Sequence, residues 1–280
     1  MDTVADILQH GVRTLMRSSD SPRLDAELML GKVLGLSRSA LIARGGDRVS
    51  GDEQRTFMEL LDRRLSGAPV AYLTGTREFW SLPLAITPAV LVPRPETEML
   101  VQHALNLIPM ERPSSVLDLG TGSGAIALAI ASERPRAQVT GVDISAPALD
   151  VALQNSRNLG FSNIEWRLGS WFDAVPGGRF DLVVANPPYV ADDDPALAKL
   201  SKEPAVALNC GPTGLEALSA IAANAAAHLH ERGWLILEHG SDQAPQVAQL
   251  LELHGFSSIR SHLDLSRKPR VTLGTLLTHH

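Results

Sequence analysis

Ser115-Val116-Leu117-Asp118-Leu119-Gly120-Thr121-Gly122-Ser123-Gly124-Ala125-Ile126-Ala127-Leu128-Ala129-Ile130-Ala131 decides the fold. A short apolar run reads as a buried strand, the glycines as a tight loop, and the apolar stretch after them as a helix. Glycines let backbone come close to a ligand, and the helix start that follows offers free N–H groups. Strand, glycine loop and helix in this order form the nucleotide-binding unit of an open α/β sheet. A second strand, Gln138 to Val142, runs into Asp143. An acid at that strand tip, about 20 residues past the glycines, is placed to accept hydrogen bonds from ribose hydroxyls.

A second motif lies downstream. Phe180-Asp181-Leu182-Val183-Val184-Ala185 reads as another buried strand and ends in Asn186-Pro187-Pro188-Tyr189. Ligands of open α/β sheets bind beyond the carboxyl ends of the strands, so these four residues face a substrate. The Asn186 side-chain oxygen and the Pro187 carbonyl are acceptors, and neither proline has a backbone donor. Two acceptors can grip the two hydrogens of a planar NH2 group while the Tyr189 ring stacks on its plane. Asn-Pro and Pro-Pro are also ordinary turn punctuation, so the motif gains its meaning from the glycine loop upstream.

Two cofactors compete for that loop. Gly120-x-Gly122-x-x-Ala125 with Asp143 satisfies the dinucleotide pattern of an NAD dehydrogenase. Asp118 at the strand end, poised to pair with a cationic group, and the third glycine, Gly124, favour S-adenosylmethionine. That molecule carries an ammonium, and its sulfonium methyl is an electrophile for an oriented nitrogen.

Asp118-Leu-Gly-Thr-Gly-Ser-Gly124, Asp143 and Asn186-Pro-Pro-Tyr189 resemble the class I S-adenosylmethionine-dependent methyltransferases that act on planar nitrogen. Arg77 to Leu84, Leu91 to Glu98, Glu203-Pro204 with Ala207-Leu208, Leu237-Glu-His-Gly240 and Arg270 to Gly274 are similar to bacterial glutamine methyltransferases of peptide chain release factors, over nearly the whole chain. The resemblance implies methylation of the amide nitrogen of the glutamine in the release factor's Gly-Gly-Gln loop, with S-adenosylhomocysteine as the product. It implies that Gly120, Thr121, Gly122, Ser123 and Gly124 hold the methionine part, Asp143 the ribose and Trp171 the adenine. Asn186, Pro187, Pro188 and Tyr189 then bind the glutamine amide, with Asn186, Pro187 and Tyr189 catalytic and Asn186 also at the cofactor; no metal is expected. Three stretches depart from the family pattern: Leu200 to Pro204, Thr213, and Ser266 to Pro269. They fall outside the cofactor and amide motifs and bear on loop geometry and docking.

Composition bounds the alternatives. With 280 residues and 44% hydrophobic content, the chain suits one large domain and a small one. A net charge of −6 without dense Lys/Arg runs argues against a DNA amino-group (adenine) methyltransferase, since duplex binding needs phosphate neutralisation. A protein that only senses S-adenosylmethionine is the other alternative, and the Asn186 to Tyr189 turn argues against it. Cys210, the single cysteine, excludes an internal disulfide. Apolar stretches are too short to span a membrane and Met1 to Asp6 lacks a basic signal-peptide start, so a cytoplasmic protein, expected to be a monomer, is read. His279-His280 is given no role.

The expected architecture is α/β: a seven-stranded Rossmann-like methyltransferase sheet with a small N-terminal helical bundle and a β-hairpin linker. Val4, Ile7, Leu8, Val12 and Leu15 share a helical face, Ser21-Pro22 announces a second helix, and Arg38 to Ala43 and Asp52 to Leu65 are further helices. Residues 1–75 form the bundle, whose outer face docks the release factor in the family; 76–92 form the hairpin linker and 93–280 the methyltransferase domain. Arg94 and Thr97, beside the prolines that open a helix, are secondary site candidates. Strands at Gly233 to Glu238, Ser258 to Leu263 and Val271 to Leu276 give an antiparallel finish. Asp192-Asp193-Asp194 reads as a solvated helix cap, and Glu238-His239 as neighbours facing opposite sides of a strand. Trp171-Phe172 follows the strand Ile164 to Leu168 and reads as an adenine wall rather than core.

Overall fold

The computed structural model describes residues 2–277, apart from the side chain of Lys199; His279-His280 lies outside the described residues. The chain divides into two compact units, Met1–Thr76 and Arg77–His280.

The first unit is helical: α1 Val4–Leu15, α2 Pro22–Leu34, α3 Arg38–Ala43, α4 Gly51–Leu65 and α5 Val70–Thr74. Thr3 and Asp6 form a reciprocal cap on α1, as Ser50 and Glu53 do on α4, each satisfying backbone donors the first turn leaves open. Ser21 precedes Pro22 as expected, but its hydroxyl caps no backbone N–H; it donates to Asp25 Oδ1 at 3.0 Å instead. Ile7, Leu15, Met29, Leu30 and Phe57 form the core. Asp25, inside that bundle, accepts from Ser19, Ser21 and Arg64, which offsets the burial of its charge.

From the last residue of the first unit onward runs a hairpin, β1 Thr76–Phe79 and β2 Leu82–Ala85, whose turn places Trp80 and Ser81 at positive φ. The hairpin ends at Ala85; Thr87 to Val92 is irregular because Pro88 and Pro93 interrupt pairing. A 3₁₀ turn, Pro95–Thr97, then leads into α6 Glu98–Leu107.

Alternating strands and helices follow: β3 Ser114–Leu119, α7 Ala125–Glu133, β4 Ala137–Asp143, α8 Ala146–Leu159, β5 Ile164–Leu168 and β6 Phe180–Ala185. Next come α9 Ala196–Lys199, α10 Glu216–Ala225, β7 Leu229–Glu238, α11 Ala244–Leu253, β8 Phe256–Leu263 and β9 Pro269–Leu276. The large sheet has the seven strands expected, in the order β5-β4-β3-β6-β7-β9-β8. Its first five strands run parallel, and β9 enters antiparallel between β7 and β8. Leu117, Leu119, Val183, Ala185, Leu235 and Leu237 pack with Leu218, Ile221, Val247 and Leu251 of α10 and α11 in one core. Val116, Val184 and Ile236 alternate with them and are also fully buried. A parallel sheet covered on both faces in this way presents its ligand site at the carboxyl ends of β3, β4 and β6.

Candidate active site

Two clefts meet at the carboxyl end of β6. One, about 410 Å³, is lined by Gly120, Gly122, Asp143, Ile144, Trp171 and Pro188 among others. The second, about 340 Å³, is lined by Arg94, Pro187, Tyr189, Asp242, Gln243 and Arg270 among others. Asn186 belongs to both walls, with Leu91 and Ala207. The strand end thus sets one residue, Asn186, in both clefts. Pro188, read from sequence with the amide site, faces the first cleft while its neighbours Pro187 and Tyr189 face the second.

The glycine loop is built from within. Gly120 and Thr121 donate backbone N–H groups to the Val142 carbonyl, at 2.8 and 2.9 Å, and Gly124 donates to Thr121 at 2.8 Å. Gly122, at φ +56, donates to Asp143 Oδ2 at 2.8 Å. Most of the loop amides are therefore engaged, and the loop offers close backbone approach rather than a row of donors. Thr121, Ser123 and Gly124 are not among the residues that line the first cleft. Thr121 and Ser123 are buried, and Gly124 sits beside Trp166 and Ala152.

Asp118 also departs from its sequence reading. It is fully buried, and its Oδ2 accepts from the Thr121 hydroxyl (2.6 Å) and the Ala127 N–H (3.2 Å), while Oδ1 has no partner. Its acceptors serve the loop beneath the cleft wall. Burial pushes the carboxyl up to about 7 against the pull of those two hydrogen bonds.

Asp143 lines the first cleft. Its oxygens accept from Gly122 and from the Ser145 N–H (2.9 Å), and a carboxylate oxygen with one such bond can still accept another. Trp171, at φ +44, lies against Gly120. An acid for hydroxyls, an indole wall and a backbone floor fit a nucleoside-bearing molecule such as S-adenosylmethionine. Among the described residues, no cluster of three or more His, Cys, Asp or Glu side chains could hold a metal ion. Likewise, among the described residues no helix is long and apolar enough to cross a membrane.

Around the second cleft, sequence departures become legible. Glu203 is buried and its Oε2 accepts from Val92 N–H at 3.0 Å, while Oε1 pairs with Arg94. The altered stretch before Pro204 thus retains the residue that pins its loop to the β2–α6 connection. Thr213 accepts from Leu215 N–H and shares Glu216 Oε1 with its own N–H, a local cap at the start of α10. Gln243 Nε2 donates to the carbonyls of Tyr189 (3.1 Å) and Gly214 (3.2 Å), joining the two loops. The Tyr189 hydroxyl is pushed up to about 12, first by burial and then by nearby Glu238.

Asn186 Nδ2 donates to the Thr97 hydroxyl at 3.2 Å, which turns Oδ1 away from Thr97. The secondary candidate Thr97 therefore joins the site, and Arg94 lines its second cleft. Sequence reasoning missed Glu238. It and His239 do face apart, with His239 held by the Gly240 carbonyl and Thr272. Yet the register Ala185↔Leu237 sets Glu238 beside Asn186. An acid closing an apolar strand parallel to the Asn-Pro-Pro-Tyr strand was the available signal.

Sheet order, glycine loop and paired clefts define a Rossmann-like methyltransferase. A family model described as a methyltransferase domain matches residues 111–255, and one described as the PrmC N-terminal domain matches residues 6–75. The 16S rRNA N2 G1207 methyltransferase of T. thermophilus, solved in complex with AdoMet and guanosine, shares the fold (TM-score 0.52, 22% identity, 72% of this chain and 49% of that one). The release factor glutamine methyltransferase of Xylella fastidiosa is 46% identical over 90% of this chain and 92% of its own. That of Aliivibrio fischeri is 42% identical over 97% of each. The chain belongs to the release factor glutamine methyltransferase family.

Proposed function

We propose that the enzyme transfers a methyl group from S-adenosylmethionine to the side-chain amide nitrogen of the glutamine in the Gly-Gly-Gln loop of peptide chain release factors. The relatives support this acceptor over a DNA base. The observation that carries the reading is Asn186 standing in the wall shared by two clefts, one suited to a methyl donor and one to an acceptor. Gly120, Gly122, Asp143 and Trp171 hold the donor, with Thr121, Ser123 and Gly124 shaping the loop from behind. When bound, S-adenosylmethionine supplies an electrophilic methyl and leaves as S-adenosylhomocysteine.

The chain's residues have a specific task, because an amide lone pair is conjugated with its carbonyl. Asn186 Oδ1 and the Pro187 carbonyl accept the two amide hydrogens, aim the nitrogen and disperse the positive charge that develops on it. Holding reacting atoms in line can supply about 7–11 kcal/mol in well-oriented cases. Tyr189 packs on the amide plane, and its raised pKa keeps it a neutral phenol. Methylation makes the nitrogen proton acidic, so no strong base is needed. Residues 1–75 dock the release factor and residues 76–92 join that bundle to the catalytic domain, in a cytoplasmic monomer that needs no metal.

Asn186→Ala tests the reading. Single-turnover transfer is expected to fall at least about a hundredfold, in the range of losing an oriented transition-state contact, with cofactor affinity changed far less. An unchanged transfer rate would remove Asn186 from the chemistry.

A further inference from the structure

Glu238 closes β7, is 1% exposed and lines neither cleft. The Thr97 hydroxyl and the Asn186 amide face its carboxylate as donors, and its Oε2 has no close partner. Three other groups face it: Arg270 from β9, Glu96 from the turn before α6, and Tyr189 from the loop after β6.

Asn186 has two amide orientations, and only one turns Oδ1 to the acceptor cleft. Thr97 alone cannot choose between them, because a hydroxyl both donates and accepts. An ionised carboxylate only accepts. Placed behind Thr97, it accepts the hydroxyl's hydrogen bond and leaves the Thr97 lone pairs to receive Asn186 Nδ2, which donates to that oxygen at 3.2 Å. A flipped Asn186 would set its oxygen against the carboxylate.

We infer that Glu238 is a positioning residue, which acts through Thr97 to hold the Asn186 carboxamide with its nitrogen inward and its oxygen toward the acceptor. The inference rests on the proposed role of Asn186 as acceptor of the glutamine amide. It has a further consequence, since protonated Glu238 donates and tolerates the flip. Burial pushes Glu238 up to about 7, with Thr97, Arg270 and Asn186 pulling it down and Glu96 pushing it up. Turnover therefore falls as pH drops through that value.

The test measures kcat, cofactor KM and the pH profile of methyl transfer to an unmethylated release factor. It compares wild type, Glu238→Gln, Thr97→Val and Thr97→Ser. The glutamine variant allows both Asn186 orientations at every pH. It is expected to lose about tenfold in kcat, the scale of one hydrogen bond to a charged group, with cofactor KM unchanged and the acid limb near 7 flattened. Thr97→Val should match it, and Thr97→Ser should restore wild-type behaviour. Wild-type kcat and an intact acid limb in Glu238→Gln would overturn the inference while leaving the site assignment standing. So would equal loss in both Thr97 variants. No transfer by wild type to the release factor glutamine would bring down the reading and the inference together.

Discussion

Replacing Asn155 by alanine should weaken the enzyme at a residue that lines neither cleft. Asn155 lies in α8 and is 1% exposed. Its Oδ1 accepts from Ala85 N–H at 2.7 Å, and its Nδ2 donates to the carbonyls of Ala85 (3.1 Å) and Ser123 (2.9 Å). One side chain thus ties hairpin strand β2 to the glycine loop. A net hydrogen bond contributes about 0.5–1.5 kcal/mol, and a buried group left unsatisfied costs about 1–3 kcal/mol. Ala85 is half-buried and water can replace part of its loss, whereas Ser123 is buried. The expected destabilisation is about 3 kcal/mol, read by urea unfolding at pH 7. Cofactor affinity, read by calorimetry, should fall about fivefold or more as the loop loses its anchor, a cost of about 1 kcal/mol. Asn155→Asp should be worse at pH 8 than at pH 5, because a carboxylate faces two carbonyls and protonation restores one donor. A loss in Asn155→Ala below about 1 kcal/mol, with cofactor affinity unchanged, would refute the anchoring argument.

Other expectations follow from the loop and the buried acids. Gly124 sits at φ +81, and an added Cβ would lie 2.8 Å from the Trp166 ring, whereas at Gly122, φ +56, it would meet nothing within 4 Å. Gly124→Ala should therefore cost about 3 kcal/mol, from strain and overpacking together, and Gly122→Ala about 1–2 kcal/mol from strain alone; equal unfolding midpoints would contradict this. Asp118 and Glu238 are both raised to about 7, so between 4.5 and 7 the folded state holds protons that the unfolded chain releases. Their contribution to stability is full at low pH and is lost as pH rises toward 7, at up to about 1.4 kcal/mol per pH unit for each group. Asp118→Asn should reduce that slope in unfolding measurements from pH 5 to 7.5, and an unaltered slope would exclude Asp118 as its source. Trp171→Ala should weaken S-adenosylhomocysteine binding about tenfold by calorimetry, on the scale of one lost aromatic contact; no change would move the adenine elsewhere.

Local signals made most of the fold legible. Apolar runs ending in glycines or prolines placed the central strands, and the alternation with helices announced the parallel sheet. Short elements were less visible: α5 spans five residues between Pro69 and Gly75, too few for a helical period. The hairpin stopped at Ala85 because pairing, unlike alternation, depends on the partner strand. In the site, Asn186, Asp143 and Trp171 line one cleft, and each closes or follows a strand, the position that the sequence does show. Which way a loop residue turns is a tertiary outcome, so the burial of Thr121, Ser123 and Asp118 was not legible from their places in the sequence. Asn155 gave no local sign, since its partners Ala85 and Ser123 are distant in sequence, and the role of Glu238 could not be read from its strand alone because Thr97 and Asn186 come to it from other elements.

The central claim is transfer to a protein glutamine, and labelled S-adenosylmethionine tests it most directly. The enzyme would be incubated with an unmethylated release factor, with a copy whose Gly-Gly-Gln glutamine is replaced, and with a methyl-free DNA duplex. Label confined to the intact release factor is the predicted result. Label on the replaced copy or on DNA, or on none of the three, would contradict it.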